Sequence, residues 1–599
     1  MKRVISLVLV GLMAFTFAGC GYSNFYKSGD KSRELTPIFA LAEKFTDDLL
    51  GRSPELSTIV GEHDKDNLLD DYSYSAISKE LIFRKDYLAK FTKLKPTNHT
   101  DALAKEVIIS DLNLSISNLS NKNKTLAIGI FNSPMSKIIE IFSYMEYNNK
   151  RDYEKFLGRL EAIPEALDSW EKTLIKLQSE GVVNSKRNNY ELMRQASIIV
   201  EEHAYETLVS DKIESAKIKL DSKLVTKLRK AARGASQAHK ELAIDIRKDL
   251  INKAREEDGV GKTAYAFYAE EYTYKGINLQ ELYDSQLKEV AEIEVEMRKT
   301  AEEILPNYRS FEEVITHLNN DPEYRINSKE KLTSKIQGFT DEAFTSLNGS
   351  QFTIPKELEK LHIFINEGTH SSAPYYIPPS EDFSRAGALY IPTMGSKTEF
   401  TVWRQLVISY HEGVPGHHLQ RGLQMLHGER FTRYQKAIAS HASYEEGWAL
   451  YSEKLMADLG YFYDPGYRFG YLQARMLRSA RVLIDIGLHT GMINPNGEKW
   501  DYWNAIDFLT QKALLEKQYA ANEVNRYLSD PGQAISYKVG ELTWLELRNT
   551  YFSQLGDKAD VKAFHAEGLS LGSVPLTVFK KEMDEWIVSQ ELLYKQGRT

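Results

Sequence analysis

Cys20 is the only cysteine in 599 residues. One thiol excludes an internal disulfide framework. Basic charge is short as well. Lys and Arg number 76 against 84 Asp and Glu, a net charge of −8, whereas a nucleic-acid binder presents a basic face. A complete phosphate loop is missing too. Gly259-Val260-Gly261-Lys262-Thr263 ends like one, but the first Gly of G-x-x-x-x-G-K-[ST] would fall where Glu256 stands. A charged helical pattern, not a strand, precedes it. Neither nucleic acid nor nucleotide is expected as a partner. The apolar run Val4 to Phe17 is too short for a membrane span, which takes about 20 residues.

What that run does fit is a secretory signal, with Lys2-Arg3 before it and small residues after it. Phe17-Ala18-Gly19-Cys20 resembles a lipoprotein cleavage box, with Phe17 where Leu is usual. A secreted chain that places its single thiol at this junction is explained by lipidation of Cys20. The expected division is a signal over 1–19, a tether over 20–32, a helical region over 33–347 and a catalytic region over 348–599. The last two are expected to form one compact unit in a bacterial cell envelope, lipid-anchored to the membrane.

Hydropathy over the first large region is helical. Phe156, Leu160, Ile163, Leu167, Trp170, Leu174 and Leu177 recur at steps of four and three, with Pro164 set to kink the helix. Leu287, Val290, Ile293, Met297, Ala301 and Ile304 form a second stripe. Near Asn348 the texture changes. Leu361 to Ile365 and Gly387 to Pro392 read as short strands, and Ala373 to Pro379 as an extended segment between them. A small sheet there suits an extended peptide, which can bind as an added strand, and Tyr390 is its candidate substrate contact. A plain structural hairpin explains the same pattern equally well.

The chemistry is concentrated in His411-Glu412-Gly413-Val414-Pro415-Gly416-His417-His418, followed by Glu445-Glu446-Gly447-Trp448-Ala449. A His-Glu pair, a further His and a later Glu are the parts of a zinc hydrolase site, where three protein ligands leave a fourth position to water. Glu412, beside the first His, is placed to take a proton. The spacing departs from H-E-x-x-H, whose histidines share one helix face. On a regular helix, positions 411 and 417 lie about 120° apart, and 411 and 418 about 10 Å apart along the axis. Neither pair could hold one ion. Pro415 removes a backbone donor and Gly416 permits unusual backbone angles, so a break between Val414 and Gly416 is expected to return a second His to the first.

The strings HEGVPGHHLQ, EEGWALYSE, RVLIDIGLH and PGQAISYKVG, in this order, resemble the bacterial lipoproteins of the domain-of-unknown-function-885 family. That family resembles in turn the mostly helical zinc peptidases of the gluzincin type. The resemblance implies a mostly α fold with a cleft between helical lobes and one zinc per chain. It implies His411, His417 and Glu446 as ligands, with His418 in reserve and Glu445 the less favoured acid. It also implies Tyr537 as donor to the oxyanion, and Arg478 and His489 as part of a cleft wall, His489 in a catalytic role. The function implied is zinc-dependent peptide hydrolysis. Two alternatives stand beside it, a non-catalytic lipoprotein that binds peptide or a partner, and a metal-dependent hydrolase of non-peptide amides or esters.

Overall fold

The computed structural model describes residues 35–122, 133–367, 374–393 and 398–596. The signal segment, Cys20, the tether and Ala373 lie outside the described residues. Helices dominate, and the strands are few and short. None of the described helices is long and apolar enough to cross a membrane.

Two compact units divide the chain. One runs to Asp258 and takes in Thr432–Ile438; the other comprises Gly259–Phe431 and Ala439–Thr599. The expected single unit is therefore two, and the expected boundary at 347/348 falls inside the second. The change of texture near Asn348 marks where strands begin, not where packing ends. The helix Leu279–Ile304 lies well before that point, yet it packs along Pro465–Thr490.

In the first unit, α1 (Lys150–Ser179) packs on α2 (Ser222–Asp245). Asn149 and Asp152 form a reciprocal capping box that fixes the start of α1. All seven residues of its predicted stripe are buried. Fully burying side chains of this size stabilises by about 1.5–3 kcal/mol each. Pro164 lies within α1, and the helix runs on past it to Ser179.

In the second unit, the stripe of α3 (Leu279–Ile304) is buried at Val290, Ile293, Met297 and Ala301. Then come β1 (Leu361–Glu367), β2 (Tyr375–Ile377) and β3 (Gly387–Thr393), in the spatial order β1-β3-β2. β1 and β3 are parallel, with Phe364 opposite Tyr390, and β2 and β3 are antiparallel, with Tyr375 opposite Tyr390. More than a hairpin has formed. The site helices follow: α4 (Gln405–Glu412), α5 (His417–Leu426), α6 (Ala442–Asp458), α7 (Pro465–Thr490), α8 (Lys517–Ser529) and α9 (Ser536–Leu555).

Helix α7 has a well-marked start and stop. Asp464 caps it by accepting the Tyr467 N–H at 3.0 Å, Pro465 occupies its first turn, and Gly491 ends it in the left-handed region at φ 75°. Helices α6 and α9 cross at Gly447 and Gly540. A Cβ on either would overlap the backbone of the other helix. That close approach draws the chain carrying Glu446 toward the chain carrying Tyr537.

Candidate metal centre

The helix breaks where Pro415 and Gly416 predict. α4 stops at Glu412, α5 starts at His417, and the Val414–Pro415 peptide between them is cis. The turn is held at several points. Gly416 N–H donates to Tyr410 O at 3.0 Å and His418 N–H to Gly413 O at 3.2 Å. The Trp448 indole on α6 donates to Pro415 O at 2.9 Å and to Gly416 O at 3.1 Å. Gly416 presses on the carbonyl of His411, and a Cβ there would overlap it. Only glycine lets the chain fold back this tightly.

The fold-back brings His417 to His411, their ring centroids 5.0 Å apart and nearly perpendicular. Glu446 completes the group. One ligand atom from each of His411, His417 and Glu446 lies within 4.8 Å of the others. Glu446 Oε2 is 3.3 Å from His411 Nε2 and 3.8 Å from His417 Nε2. Ligands bound at 2.0–2.1 Å in a tetrahedron stand about 3.4 Å apart, so the spacing suits one divalent cation. Glu446 Oε2 is also buried without a well-formed hydrogen bond. Buried acceptors rarely stay so, and this atom is flanked by imidazole nitrogens in place of donors at bonding geometry.

Charge tells the same story. Burial works against a charge on His411, but the neighbouring Glu446 and Glu453 carboxylates outweigh it and raise the imidazolium to about 10. Burial, followed by the charges of Glu446 and Glu453 against that of His411, raises Glu412 to about 8. Burial lowers His417 to about 4, which keeps that ring neutral. Glu446 is held below the ordinary range because His411 and His417 outweigh the burial that would raise it. The pocket draws positive charge. A proton on His411 meets that demand, and so does a divalent cation bound by two neutral imidazoles and a carboxylate.

The two uncertain ligands separate cleanly. His418 faces away: its Nε2–H donates to Leu358 O at 2.8 Å, and its Nδ1 accepts from the Tyr376 hydroxyl at 2.9 Å. Both ring nitrogens are used, so His418 anchors β2 to α5 and is no metal ligand. Glu445 accepts from Arg421 at 3.2 Å and also stands outside the group.

Tyr537 is buried at the start of α9, in the field of Glu446 and of Arg481. Burial and then the Glu446 charge raise its phenol, which stays a donor. Arg478 reaches Glu453 through Nη2 at 3.5 Å and so lies behind His411. His489 corrects the sequence reading. Its Nδ1 accepts from Val260 N–H at 3.2 Å and its Nε2–H donates to Tyr527 O at 2.9 Å, with Tyr265 stacked 5.3 Å away. It lies eleven residues beyond Arg478 on α7, about 16 Å along the axis. A ring with both nitrogens committed to backbone ties elements together and has no part in the metal group. Tyr390 stands in an aromatic row on the sheet, 5.0 Å from both Phe364 and Tyr375 and stacked on each. All these residues belong to the second unit.

Sequence reasoning missed Glu453. It accepts from His411 Nδ1 at 2.7 Å, is itself nearly inaccessible, and fixes the tautomer that turns Nε2 toward Glu446. Glu446 and Glu453 are seven residues apart on α6, two turns along one face, and that spacing was the available signal. Removing such a supporting carboxylate weakens metal binding by about 10–100-fold. Glu453→Gln is expected to lower zinc affinity by that factor while the far-ultraviolet dichroism stays unchanged. Competition against a coloured chelator measures it.

The sequence model of the family described as "Bacterial protein of unknown function (DUF885)" matches residues 54–583. No curated protein matches the chain. Among solved structures, a candidate lipoprotein from Colwellia psychrerythraea is similar with a TM-score of 0.77 at 21% identity, over 92% of this chain and 99% of that one. A candidate lipoprotein of unknown function from Shewanella oneidensis is similar with a TM-score of 0.70 at 17% identity, over 92% of this chain and 100% of that one. At these identities the likeness is one of fold.

Proposed function

Because the chain belongs to the DUF885 family, whose function is unknown, its activity has to be read from its own site, and we propose that it is a zinc-dependent peptide hydrolase. The observation that carries this reading is the ligand set with an acid beside it. His411, His417 and Glu446 stand at the separations of a tetrahedral site, and Glu412, next in chain to the first, is buried. A purely structural metal needs no such acid.

Zinc bound by these residues would supply Lewis acidity toward the scissile carbonyl. Glu412 takes the proton of the attacking water and returns it to the departing amine. Burial favours the protonated form of Glu412, so the carboxyl can hold the proton between the two transfers. Tyr537, held as a neutral phenol, donates a hydrogen bond to the oxygen that gains charge. Glu453 keeps His411 oriented throughout.

Peptide is favoured over other amides by the sheet. His418 and Tyr376 link β2 to α5, the helix that carries His417, so an edge able to accept an extended chain is tied to an element that supplies a ligand. Tyr390 and its aromatic row would receive side chains. An envelope location, anchored through lipid on Cys20, is supported by the signal-like start of the chain. The naming of the two structural relatives as candidate lipoproteins supports it further.

The test is a digest of a diverse peptide library by purified protein, first stripped with chelator and then reloaded with zinc. Cleavage should be absent in the first and restored in the second. Reloaded protein that binds peptides and cuts none would make the chain a binding lipoprotein.

A further inference from the structure

Beyond Tyr537, the wall of the centre carries guanidinium N–H groups that the acids around it leave without an acceptor. Arg481 is 1% exposed, its Nε donates to Glu523 at 2.9 Å, and its guanidinium lies 5.5 Å from the Tyr537 ring centre. Arg526 turns to the same carboxylate at 3.0 Å, and the Tyr527 hydroxyl at 2.8 Å. One carboxylate therefore serves two guanidiniums and a phenol. Arg478, one turn back along α7, has Glu453 at 3.5 Å, an oxygen already bonded to His411 at 2.7 Å. Two N–H groups stay buried without an acceptor, Nε of Arg478 and Nη1 of Arg481.

Buried donors without acceptors are costly and uncommon, and here two occur one helical turn apart, both on guanidiniums. They call for an anion. The place is close to the chemistry, since Arg478 is one carboxylate removed from His411 and Arg481 stacks on the proposed oxyanion donor.

We propose, resting on the peptide-hydrolase reading, that Arg478 and Arg481 receive the free C-terminal carboxylate of the substrate, so that the chain trims peptides from their C-termini. A carboxylate matches the guanidinium fork in geometry and charge. The interior of a longer peptide brings no charge to this place, and neither does a C-terminal amide. The reaction remains hydrolysis. The C–N bond breaks, the acyl carbon gains the water oxygen as a new carboxylate, and the amine of the released C-terminal fragment takes both of the water's protons.

Binding and cleavage test the two readings separately. Full-length Glu412→Gln protein loaded with zinc is titrated calorimetrically with N-acetyl-tetraalanine as the free acid and as the carboxamide. The acid should bind about tenfold tighter or more, the scale of a charge-assisted pair. Arg481→Met should bring the two together. Equal binding of acid and amide to the parent protein overturns the carboxylate site, whatever the enzyme cuts and whether or not Arg481→Met folds. Wild-type protein should shorten the acid from its C-terminal end and leave the amide nearly untouched. Internal cuts at equal rates in both would keep the hydrolase and overturn the trimming. Tighter binding of the acid with no cleavage would uphold the carboxylate site and count against the hydrolase.

Discussion

Glu412→Gln is expected to keep zinc at full occupancy and to cut peptide roughly 10² to 10⁴ times more slowly than wild type, the factor that a positioned general base contributes. Gln preserves size and most hydrogen bonding but takes up no proton near neutral pH. Glu412 ends α4 next to His411 and does not belong to the group of ligand atoms around Glu446. Its removal should therefore leave the metal in place. Metal analysis and steady-state kinetics on one preparation check both halves. Loss of zinc would make residue 412 a ligand, and an unchanged rate would hand the proton to another residue.

His411→Ala is expected to take zinc from about one per chain to near none after dialysis, since two ligands remain of the three that a catalytic site uses. The same change takes from Glu453 its nearer partner, the His411 ring at 2.7 Å, and leaves it Arg478 at 3.5 Å, so some stability should be lost as well. A control separates the two effects. His418→Ala also removes two hydrogen bonds, to Leu358 O and Tyr376, each worth about 0.5–1.5 kcal/mol, yet zinc should stay. Ligand binding stabilises a folded protein in proportion to affinity. Added zinc should thus raise the melting temperature of His418→Ala and leave that of His411→Ala unmoved. A zinc-induced shift of wild-type size in His411→Ala would place the metal elsewhere.

Much of the centre was legible in the chain because it is local. His411 and Glu412 announce themselves, and Pro415-Gly416 marks the break that a regular helix could not avoid. Glu446 came through the resemblance, and the Gly447–Gly540 crossing gives that motif glycine a physical reason. The choice between His417 and His418 was not decided by spacing. It depends on Leu358 and Tyr376, residues about 60 and 42 positions away in sequence, which claim one ring and leave the other. Glu453 was readable by its two-turn spacing from Glu446. His489 was misread because a resemblance in sequence does not tell whether a ring faces a site or a backbone.

The division into units was hidden for a similar reason. Thr432–Ile438 joins the first unit through long-range ties. Arg433 pairs with Asp47 at 2.8 Å and Glu62 at 2.9 Å, and the Tyr434 hydroxyl donates to Asp111 at 3.0 Å. No periodicity announces that a short segment will leave its neighbours to pack against residues more than three hundred positions earlier. Amphipathic stripes tell which face of a helix is buried and are silent about its partner.

Anomalous scattering across the zinc absorption edge, from crystals grown with stoichiometric zinc, tests the central claim most directly. One strong peak is expected within about 2.0–2.2 Å of His411 Nε2, His417 Nε2 and Glu446 Oε2. A crystal with no peak among these three atoms would contradict it, and so would one whose only peak lies at the acidic group of Glu171, Asp245 and Asp249.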